Sequence, residues 1–324
     1  MDCLSYSSCN QCPRNCDINR FKGLGFCLEP EKLRLASACL HFGEEPPVTG
    51  KGGSGTIFVT GCNLRCAFCQ NYQISQKGMG KEVSSVEFAE ICLKLQKLGA
   101  ENINIVTGSH VVPAIIDGLK IARDKGMILP LCWNSSAYEK TETLSELKNY
   151  VDIWLPDFKT INEFVSQSVF KAKDYPEKAK EAILFMLENS PLQMDSGKML
   201  KGVIVRHLFL PGRLEDTILT LEWLKKNVDG KAFISLMSQY TPVPFQEDEN
   251  SLQKRKESLS VIENRLVSDT EFQDLQDLLE VYDFQNLFYQ ELEQSTEWLP
   301  DFNKIQPFSN DLAKPVWHWK NGFV

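Results

Sequence analysis

The chain has 324 residues, of which 43% are hydrophobic, and its formal net charge at pH 7 is -8. This length suits one large α/β domain with appendages, or two smaller domains. The acidic balance, without a long block of Lys or Arg, predicts neither nucleic acid nor an anionic membrane as a partner. The N-terminus lacks the layout of a secretory signal and no apolar run approaches ~20 residues, so we expect a cytoplasmic protein without a membrane span.

From residue 51 to residue 244, short apolar runs alternate with amphipathic stretches. This pattern predicts buried parallel strands that are joined by helices. The predicted strands cover residues 56–60, 103–107, 128–133, 151–155, 202–208 and 232–237. The predicted helices cover residues 84–99, 114–125, 141–149, 177–188 and 215–227. Right-handed crossovers between such strands give either an open doubly wound sheet or an incomplete (β/α) barrel.

The segments on either side of this core differ from it in composition. Residues 1–50 are rich in Cys and Pro with little periodicity, so we interpret them as an irregular extension held together by metal. Residues 245–324 form a C-terminal extension. Its charged part, 245–264, is predicted to be a surface loop, followed by a helix over 269–281 and a strand over 286–290.

All 11 cysteines lie between positions 3 and 132. An odd number, unevenly spread in a chain without an export signal, argues against a disulfide scaffold and favours metal ligation. Three of them, Cys39, Cys92 and Cys132, are instead predicted to be small buried side chains.

The first predicted strand is followed by Cys62, Cys66 and Cys69 in the spacing C-x3-C-x2-C. A structural zinc site normally closes with a fourth ligand, whereas three thiolates suit a [4Fe-4S] cluster with one open iron. S-adenosylmethionine (SAM) could chelate that iron through its amino and carboxylate groups. Electron transfer to its sulfonium would break a C–S bond and give a 5′-deoxyadenosyl radical. Phe68, just before the last cysteine, would shield the cluster and contact adenine.

This loop resembles the signature of the radical SAM superfamily, and residues from about 9 to about 243 resemble its branch related to pyruvate formate-lyase activating enzyme (PflX-like). The matching stretches are CPRNC (12–16), HFGEEPP (41–47), GSGTIF (53–58), CQNY (69–72), VDIWLPDFK (151–159) and VRHL (205–208). The resemblance implies an α/β fold: a partial (β/α)6 TIM-like barrel of radical SAM type with a Cys-rich N-terminal extension.

Polar residues follow several predicted strands, at the end where parallel barrels gather their functional groups. Thr107 and Ser109 follow the second strand, and Asn134 follows the third. Activating enzymes carry a Gly-Gly-Glu after the second strand that holds the SAM amino group, and this Glu is absent here. We interpret Thr107, Ser109 and Asn134 as SAM contacts, with ordinary turn and capping chemistry as the alternative.

After the fourth strand, Asp157 and Lys159 share one side of the strand, with Phe158 opposite. The resemblance implies that Lys159 meets the methionine carboxylate of SAM, while Asp157 meets a ribose hydroxyl or Lys159. A surface ion pair is the alternative. The resemblance also implies that Arg206 is a partner of the SAM carboxylate, whereas its neighbour His207 is predicted to be structural.

A second group of cysteines lies near the N-terminus. Cys9, Cys12, Cys16 and Cys27 have the spacing C-x2-C-x3-C-x10-C, which predicts a second metal site. A closed zinc site would stabilise this irregular segment, whereas an auxiliary Fe–S cluster would relay electrons. Both readings stay open, with zinc slightly favoured, and a segment without metal is the remaining alternative.

The leading functional hypothesis is a radical SAM oxidoreductase that abstracts hydrogen from a protein or peptide, as a glycyl-radical activating enzyme does. An electron donor such as flavodoxin or ferredoxin is the second expected partner. One alternative is a radical SAM modifier of a small molecule or a ribosomal peptide. Another is an Fe–S electron-transfer or metal-carrier protein, against which the polar strand ends argue because a carrier needs no SAM pocket.

Overall fold

The computed structural model describes residues 4–292, 298–309 and 311–324. The strands in these residues are β1 (Arg34–His41), β2 (Ser54–Val59), β3 (Lys81–Glu82), β4 (Ile103–Val106), β5 (Leu131–Ser135), β6 (Ile153–Pro156), β7 (Gln193–Asp195), β8 (Lys198–Leu208), β9 (Phe233–Met237), β10 (Leu287–Tyr289), β11 (Ala313–His318) and β12 (Gly322–Phe323). The helices are α1 (Pro46–Thr49), α2 (Tyr72–Ser75), α3 (Ser85–Lys97), α4 (Val112–Asp124), α5 (Thr141–Leu147), α6 (Glu163–Phe170), α7 (Tyr175–Asn189), α8 (Leu214–Asn227), α9 (Glu249–Leu259) and α10 (Asp269–Tyr282). None of these helices combines the length and the apolar character needed to cross a lipid bilayer.

Parallel strands form the centre of the sheet, in the order β2, β4, β5, β6, β8, β9 and β10. Antiparallel strands β1, β11 and β12 continue it beyond β2. Within the described residues β10 does not pair back onto the other end, so the sheet stays open. The predicted α/β fold with an unclosed barrel is confirmed.

Neighbouring side chains on a strand point to opposite faces of the sheet, and the parallel strands bury both of these faces. On the outer face, Trp133, Trp154 and Val205 pack with the helices in the main apolar core. On the inner face a smaller cluster is made by Val48, Cys132, Ile153, Leu155, Met199 and Ile204. Val48 belongs to α1, and its carbonyl accepts from Asn102 just before β4, so α1 closes the barrel at the N-terminal strand ends.

The prediction of irregular structure throughout residues 1–50 is wrong for β1. This strand pairs with β2 on one side and with β11 on the other, and six of its eight residues are buried. Burial on both faces removes the alternation of polar and apolar residues that marks a half-exposed strand. The interpretation of Cys39, Cys92 and Cys132 as buried side chains is confirmed, since each is 0% exposed.

The prediction of a surface loop over residues 245–264 is also wrong, because α9 lies within it. Asp248 caps this helix by accepting the amide of Ser251. Only two residues of α9, Ser258 and Leu259, are buried, so the helix has no continuous apolar stripe. Without such a stripe, periodicity gives no signal for a helix. The predicted helix and strand that follow are present as α10 and β10.

Candidate functional site

The loop after β2 carries Cys62, Cys66 and Cys69 and lies at the C-terminal ends of the parallel strands. Gly61 opens it with a φ of +81°, and a Cβ there would lie 2.3 Å from Cγ of Glu29. Glycine is therefore required at this turn. Burial raises the pKa of all three thiols, and neighbouring thiols of the same loop add to this effect at Cys62 and Cys66. The three thiols thus lie within electrostatic range of one another.

These thiols match the donor set of a [4Fe-4S] cluster better than that of one metal ion. Among the described residues, no three His, Cys, Asp or Glu side chains are arranged around a single ion. A cubane cluster has a different requirement, because each thiolate binds a separate iron atom. Local bonds already orient two of the sulfurs: the amide of Leu64 donates to Sγ of Cys62 (3.3 Å), and Oγ of Ser75 lies 3.3 Å from Sγ of Cys69.

The N-terminal extension holds this loop from one side. Nε of Arg14 donates to the carbonyl of Asn63 (2.7 Å), and Nη2 donates to the carbonyl of Phe170 (3.2 Å). The guanidinium groups of Arg14 and Arg65 lie 3.8 and 4.7 Å from the ring centre of Phe26. Cation–π contacts and backbone hydrogen bonds therefore fix the loop against residues far away in sequence.

The C-terminal extension holds the loop from another side, which the sequence did not predict. Arg255 of α9 donates from Nη1 to the carbonyl of Ala67 (3.2 Å) and from Nη2 to the side-chain oxygen of Gln76 (3.0 Å). Two bonds of 2.8 Å to the carboxylate of Glu247, and the ring of Phe245 at 3.8 Å, orient its guanidinium. Arg255 therefore helps to hold the cysteine loop in position.

The structure brings Asn134, Asp157, Lys159 and Arg206 into one network at the strand ends. Asp157 accepts from Nε of Arg206 (2.9 Å) through one oxygen and from Nζ of Lys159 (2.7 Å) through the other. Nη2 of Arg206 donates to Oδ1 of Asn134 (2.5 Å). Burial acts to raise the pKa of Asp157, but the charges of Arg206 and Lys159 outweigh it, so that the pKa is lowered. Asp157 is therefore ionised at neutral pH.

Lys159 connects this network to the cysteine loop. Burial acts to lower the pKa of Lys159, but the charge of Asp157 outweighs it, and the pKa is raised. The backbone of the Asp157–Lys159 turn is fixed by Tyr175, whose hydroxyl donates to the carbonyl of Asp157 (2.7 Å) and accepts from the amide of Lys159 (2.8 Å). An ammonium group has three hydrogens, so Lys159 can bind an anion at this end of the sheet while it stays bonded to Asp157.

Glu44 is a member of this network that the sequence analysis did not single out. Its Oε2 lies 3.3 Å from Nη1 of Arg206, and its Oε1 accepts from Nδ2 of Asn104 (3.2 Å). Burial acts to raise the pKa of Glu44, and the charge of Arg206 opposes this. Glu44 lies in the HFGEEPP stretch, which contributes to the family resemblance. The stretch alone does not show in which direction the side chain of Glu44 points. All three nitrogens of Arg206 are thus bonded to protein acceptors.

The side chains along two strands alternate as predicted. Asp157 and Lys159 contact each other, whereas Phe158 packs on Trp223 of α8 at a ring distance of 4.9 Å. His207 points away from Arg206: its ring nitrogens lie 2.7 Å from the carbonyl of Phe158 and 3.1 Å from Oγ1 of Thr217. The prediction of a structural histidine is confirmed.

We expect the free energy of unfolding to fall as the pH falls from 6.5 toward 4. Burial lowers the pKa of His207 from 6.5 to about 4, so the unfolded chain takes up this proton first and is favoured in that range. His41 and His110 are shifted in the same direction. A His207→Asn variant keeps a donor for the carbonyl of Phe158 and should reduce the total fall by up to about 3 kcal/mol. Urea unfolding at several pH values measures the free energy of unfolding. If this free energy falls as much in the variant as in the unchanged protein between pH 6.5 and pH 4, the prediction is wrong.

Ser109 and Thr107 do not join the Asp157 network. The hydroxyl of Ser109 donates to Glu139 (2.7 Å), which also accepts from Nε1 of Trp133 (2.8 Å) and from Oγ of Ser135 (2.7 Å). Glu139 is 2% exposed, so these donors satisfy a buried carboxylate that the sequence analysis missed. Thr107 has a left-handed φ of +64°, and its amide donates to the carbonyl of Asn134 (2.9 Å), which places its backbone beside the network.

Phe68 lies in an aromatic cluster at the same end of the sheet. Its ring meets Tyr240 edge-on at 5.4 Å and Phe170 edge-on at 5.9 Å. Tyr240 is held by a hydrogen bond from its hydroxyl to Asn264 (2.7 Å). Phe68, Cys62 and Cys66 all pack against the main apolar core, which suits the predicted shielding of a cluster.

A model of a protein family, described as the radical SAM superfamily, matches residues 56–224, more than half of the chain. An uncharacterized protein of Methanocaldococcus jannaschii, MJ0674, is 31% identical over 245 residues, which cover 73% of this chain and 67% of that protein.

Similar solved structures have low identity. SuiB of Streptococcus suis bound to S-adenosylmethionine has a TM-score of 0.44 at 12% identity, over 71% of this chain and 45% of that one. A domain of pyruvate-formate lyase-activating enzyme from Bacteroides vulgatus has a TM-score of 0.36 at 15% identity, over 56% of this chain and 91% of that domain. The chain therefore spans less than half of SuiB and about two thirds of MJ0674.

Proposed function

The chain belongs to the radical SAM superfamily, and we propose that Cys62, Cys66 and Cys69 hold its [4Fe-4S] cluster while SAM binds between this loop and the Asp157 network. A cluster bound there would supply one electron for reductive cleavage of SAM to methionine and a 5′-deoxyadenosyl radical, which would take a hydrogen atom from the substrate. The observation that carries the proposal is that Lys159, whose ammonium is bonded to Asp157 after β6, lies at the same end of the parallel sheet as the cysteine loop after β2.

The residues of the network have distinct roles in this proposal. Lys159 binds the carboxylate of SAM, because it has hydrogens to spare, whereas all three nitrogens of Arg206 are bonded to protein acceptors. Asp157 holds Lys159 and is itself held by Arg206, which also adds positive charge near the SAM carboxylate. Asn134 and the backbone at Thr107 line the same end of the sheet and are placed to contact the ribose or methionine part.

We propose that the substrate is a protein or peptide, as for an activating enzyme. A groove of about 600 Å³ lies at the end of the sheet that also carries the cysteine loop, and it is lined by Asp269, Phe272, Gln276, Tyr289, Glu291 and Leu292. Its β10 side is the last strand of the open sheet within the described residues. A free strand edge beside an exposed aromatic such as Tyr289 suits an extended peptide, which can add as a strand.

The experiment is a deuterium transfer assay with the anaerobically reconstituted protein. Dithionite and SAM should yield 5′-deoxyadenosine, and adding an extract of cells grown on deuterated amino acids should place deuterium in it. We expect the transfer from the macromolecular fraction of the extract and not from its small-molecule fraction. Tyr289→Ala should reduce the transfer while SAM cleavage without substrate continues.

The possible outcomes separate the two parts of this proposal. Transfer from the small-molecule fraction alone would overturn the peptide substrate and leave the radical chemistry intact. If no 5′-deoxyadenosine forms from SAM under reducing conditions, the chemistry itself is wrong.

A further inference from the structure

The N-terminal cysteines Cys9, Cys12, Cys16 and Cys27 form one group in the structure, although none of the chemistry proposed above uses them. The amide of Cys9 donates to the carbonyl of Ile18 (2.9 Å), and the amide of Asp17 donates to the carbonyl of Cys9 (2.9 Å), so the chain turns back past Cys9 after Cys16. A Cβ on Gly25 would lie 3.3 Å from Sγ of Cys27 and 3.7 Å from Sγ of Cys16, so both sulfurs flank the same glycine. The fold therefore brings Cys16 and Cys27 to the same glycine and returns the chain past Cys9.

The backbone around the group is folded as in a ligand-binding turn. The amide of Asn15 donates to the carbonyl of Cys12 (3.1 Å), and the amide of Phe26 donates to Sγ of Cys16 (3.3 Å). Asn15 and Asp17 adopt left-handed φ values of 43° and 50°. Asn and Asp adopt this conformation more readily than other residues except glycine, so both positions suit the tight turns between the cysteines.

Arg20 is a buried cation beside this group. It is 1% exposed, and its donors contact the carbonyls of Glu29, Pro30 and His110 and the sulfur of Cys9, the last at 3.8 Å. It has no ion pair with a carboxylate in the part of the chain that the structure describes. The nearest acid, Glu29, instead directs its carboxylate to Arg34 at 3.2 and 3.3 Å.

A buried guanidinium that is bonded only to neutral groups is costly, because desolvation of the charge is not compensated. The charge of Arg20 requires an anion, and the only ionisable group among its hydrogen-bond acceptors is the sulfur of Cys9. Four neighbouring thiolates would repel one another unless a cation lay between them. A metal with four thiolate ligands satisfies both requirements, since Zn²⁺ or a [4Fe-4S] cluster then keeps a net negative charge.

We propose that Cys9, Cys12, Cys16 and Cys27 hold a thiolate-bound metal centre whose negative charge is balanced by Arg20. Among the described residues, these thiols are not arranged around a single ion. Metal binding therefore includes rotation of the cysteine side chains. The centre braces the cysteine loop after β2. Arg14, which lies between Cys12 and Cys16, donates to the carbonyl of Asn63 in that loop, and Phe26, next to Cys27, stacks with Arg65.

The test removes the other cysteine group. The triple variant Cys62→Ala, Cys66→Ala and Cys69→Ala, expressed and purified without chelators under anaerobic conditions, should retain either ~1 zinc ion or ~4 iron atoms with sulfide per chain. X-ray absorption should show sulfur as the protein donor to that metal. Zinc identifies a structural ion and iron an auxiliary cluster, and both support the centre. A chain with less than ~0.1 metal per molecule would overturn it.

Variants of Arg20 test the charge balance. Arg20→Gln should raise the rate at which a chelator removes the metal at least ~10-fold. Arg20→Lys should bring this rate most of the way back to that of the unchanged chain. Equal rates for Arg20→Gln and the unchanged chain would overturn this part. Cys92→Ser, in the core of α3, is the matched cysteine control and should leave the metal content unchanged.

If the Arg20 variants fail to fold, alkylation of the unchanged protein tests the centre instead. The four thiols should resist the reagent until a chelator is added. Labelling at the same rate with and without the chelator would overturn the centre. The metal content of the triple variant, which carries no cysteine of the radical loop, does not depend on SAM chemistry.

Discussion

Replacing Cys66 with alanine should abolish SAM cleavage by the reconstituted protein, a fall of ~10³-fold or more in 5′-deoxyadenosine formation. Three thiols are available in the loop, so the loss of one leaves the cluster with two protein ligands and a second open iron. Product formation under dithionite, measured by chromatography, gives the activity. The EPR signal of the reduced cluster reports its assembly.

Cys92→Ala is the matched control for this prediction. Cys92 is as deeply buried as any cysteine of the chain, but it lies in α3 among apolar side chains. Its replacement should leave both the EPR signal and product formation near the level of the unchanged protein. If Cys66→Ala keeps the signal and the activity, the loop is not the cluster site.

The parts of the site that were predictable from sequence depend on short-range geometry. Three cysteines within eight residues are brought together by the chain itself, whatever the fold. The relation between Asp157 and Lys159 follows from the period of two along a strand, and so does the opposite direction of Phe158. These inferences need no knowledge of which strands are neighbours.

The residues that the sequence did not reveal are brought in from outside the alternating core. Glu44 reaches Arg206 across 162 positions, and Arg255 reaches the carbonyl of Ala67 across 188. Glu44 lies in the segment interpreted as an irregular extension, and Arg255 lies in the segment predicted to be a surface loop. Ser109 was predicted as a SAM contact because it follows a strand, but its hydroxyl bonds to Glu139, whose burial is set by tertiary packing. Composition reports the average environment of a segment and misses a single side chain that turns inward.

Replacing Arg206 with methionine should lower the free energy of unfolding by about 3–5 kcal/mol. Arg206 has a 12% exposed side chain and pairs with Asp157 and Glu44, so its removal leaves two buried carboxylates without their shared cation. Urea unfolding of the purified variant measures the loss. Arg123→Met is the control, because Arg123 is 37% exposed and lies 3.9 Å from a half-exposed Asp152. It should change stability by less than about 1 kcal/mol.

A second substitution distinguishes charge from packing in this prediction. If the loss arises from unpaired carboxylates, Glu44→Gln in the Arg206→Met background should restore about 1–3 kcal/mol by removing one of them. A double variant that is less stable than Arg206→Met would show that the methionine harms packing instead. The gap between Arg206→Met and the unchanged protein should also narrow as the pH falls, because burial raises the pKa of Glu44 and its protonation removes a stranded charge.

The double variant also separates the stability of the network from its part in SAM binding. Lys159 keeps its bond to Asp157 there, so the affinity for SAM should fall less than in Lys159→Met, which removes the ammonium beside Cys66. We expect Lys159→Met to raise the Kd of SAM at least ~10-fold, equal to ~1.4 kcal/mol, because the carboxylate of SAM then loses its partner. Titration of both variants with SAM measures the difference. If the double variant binds more weakly than Lys159→Met, then Arg206 and not Lys159 is the main partner of the SAM carboxylate.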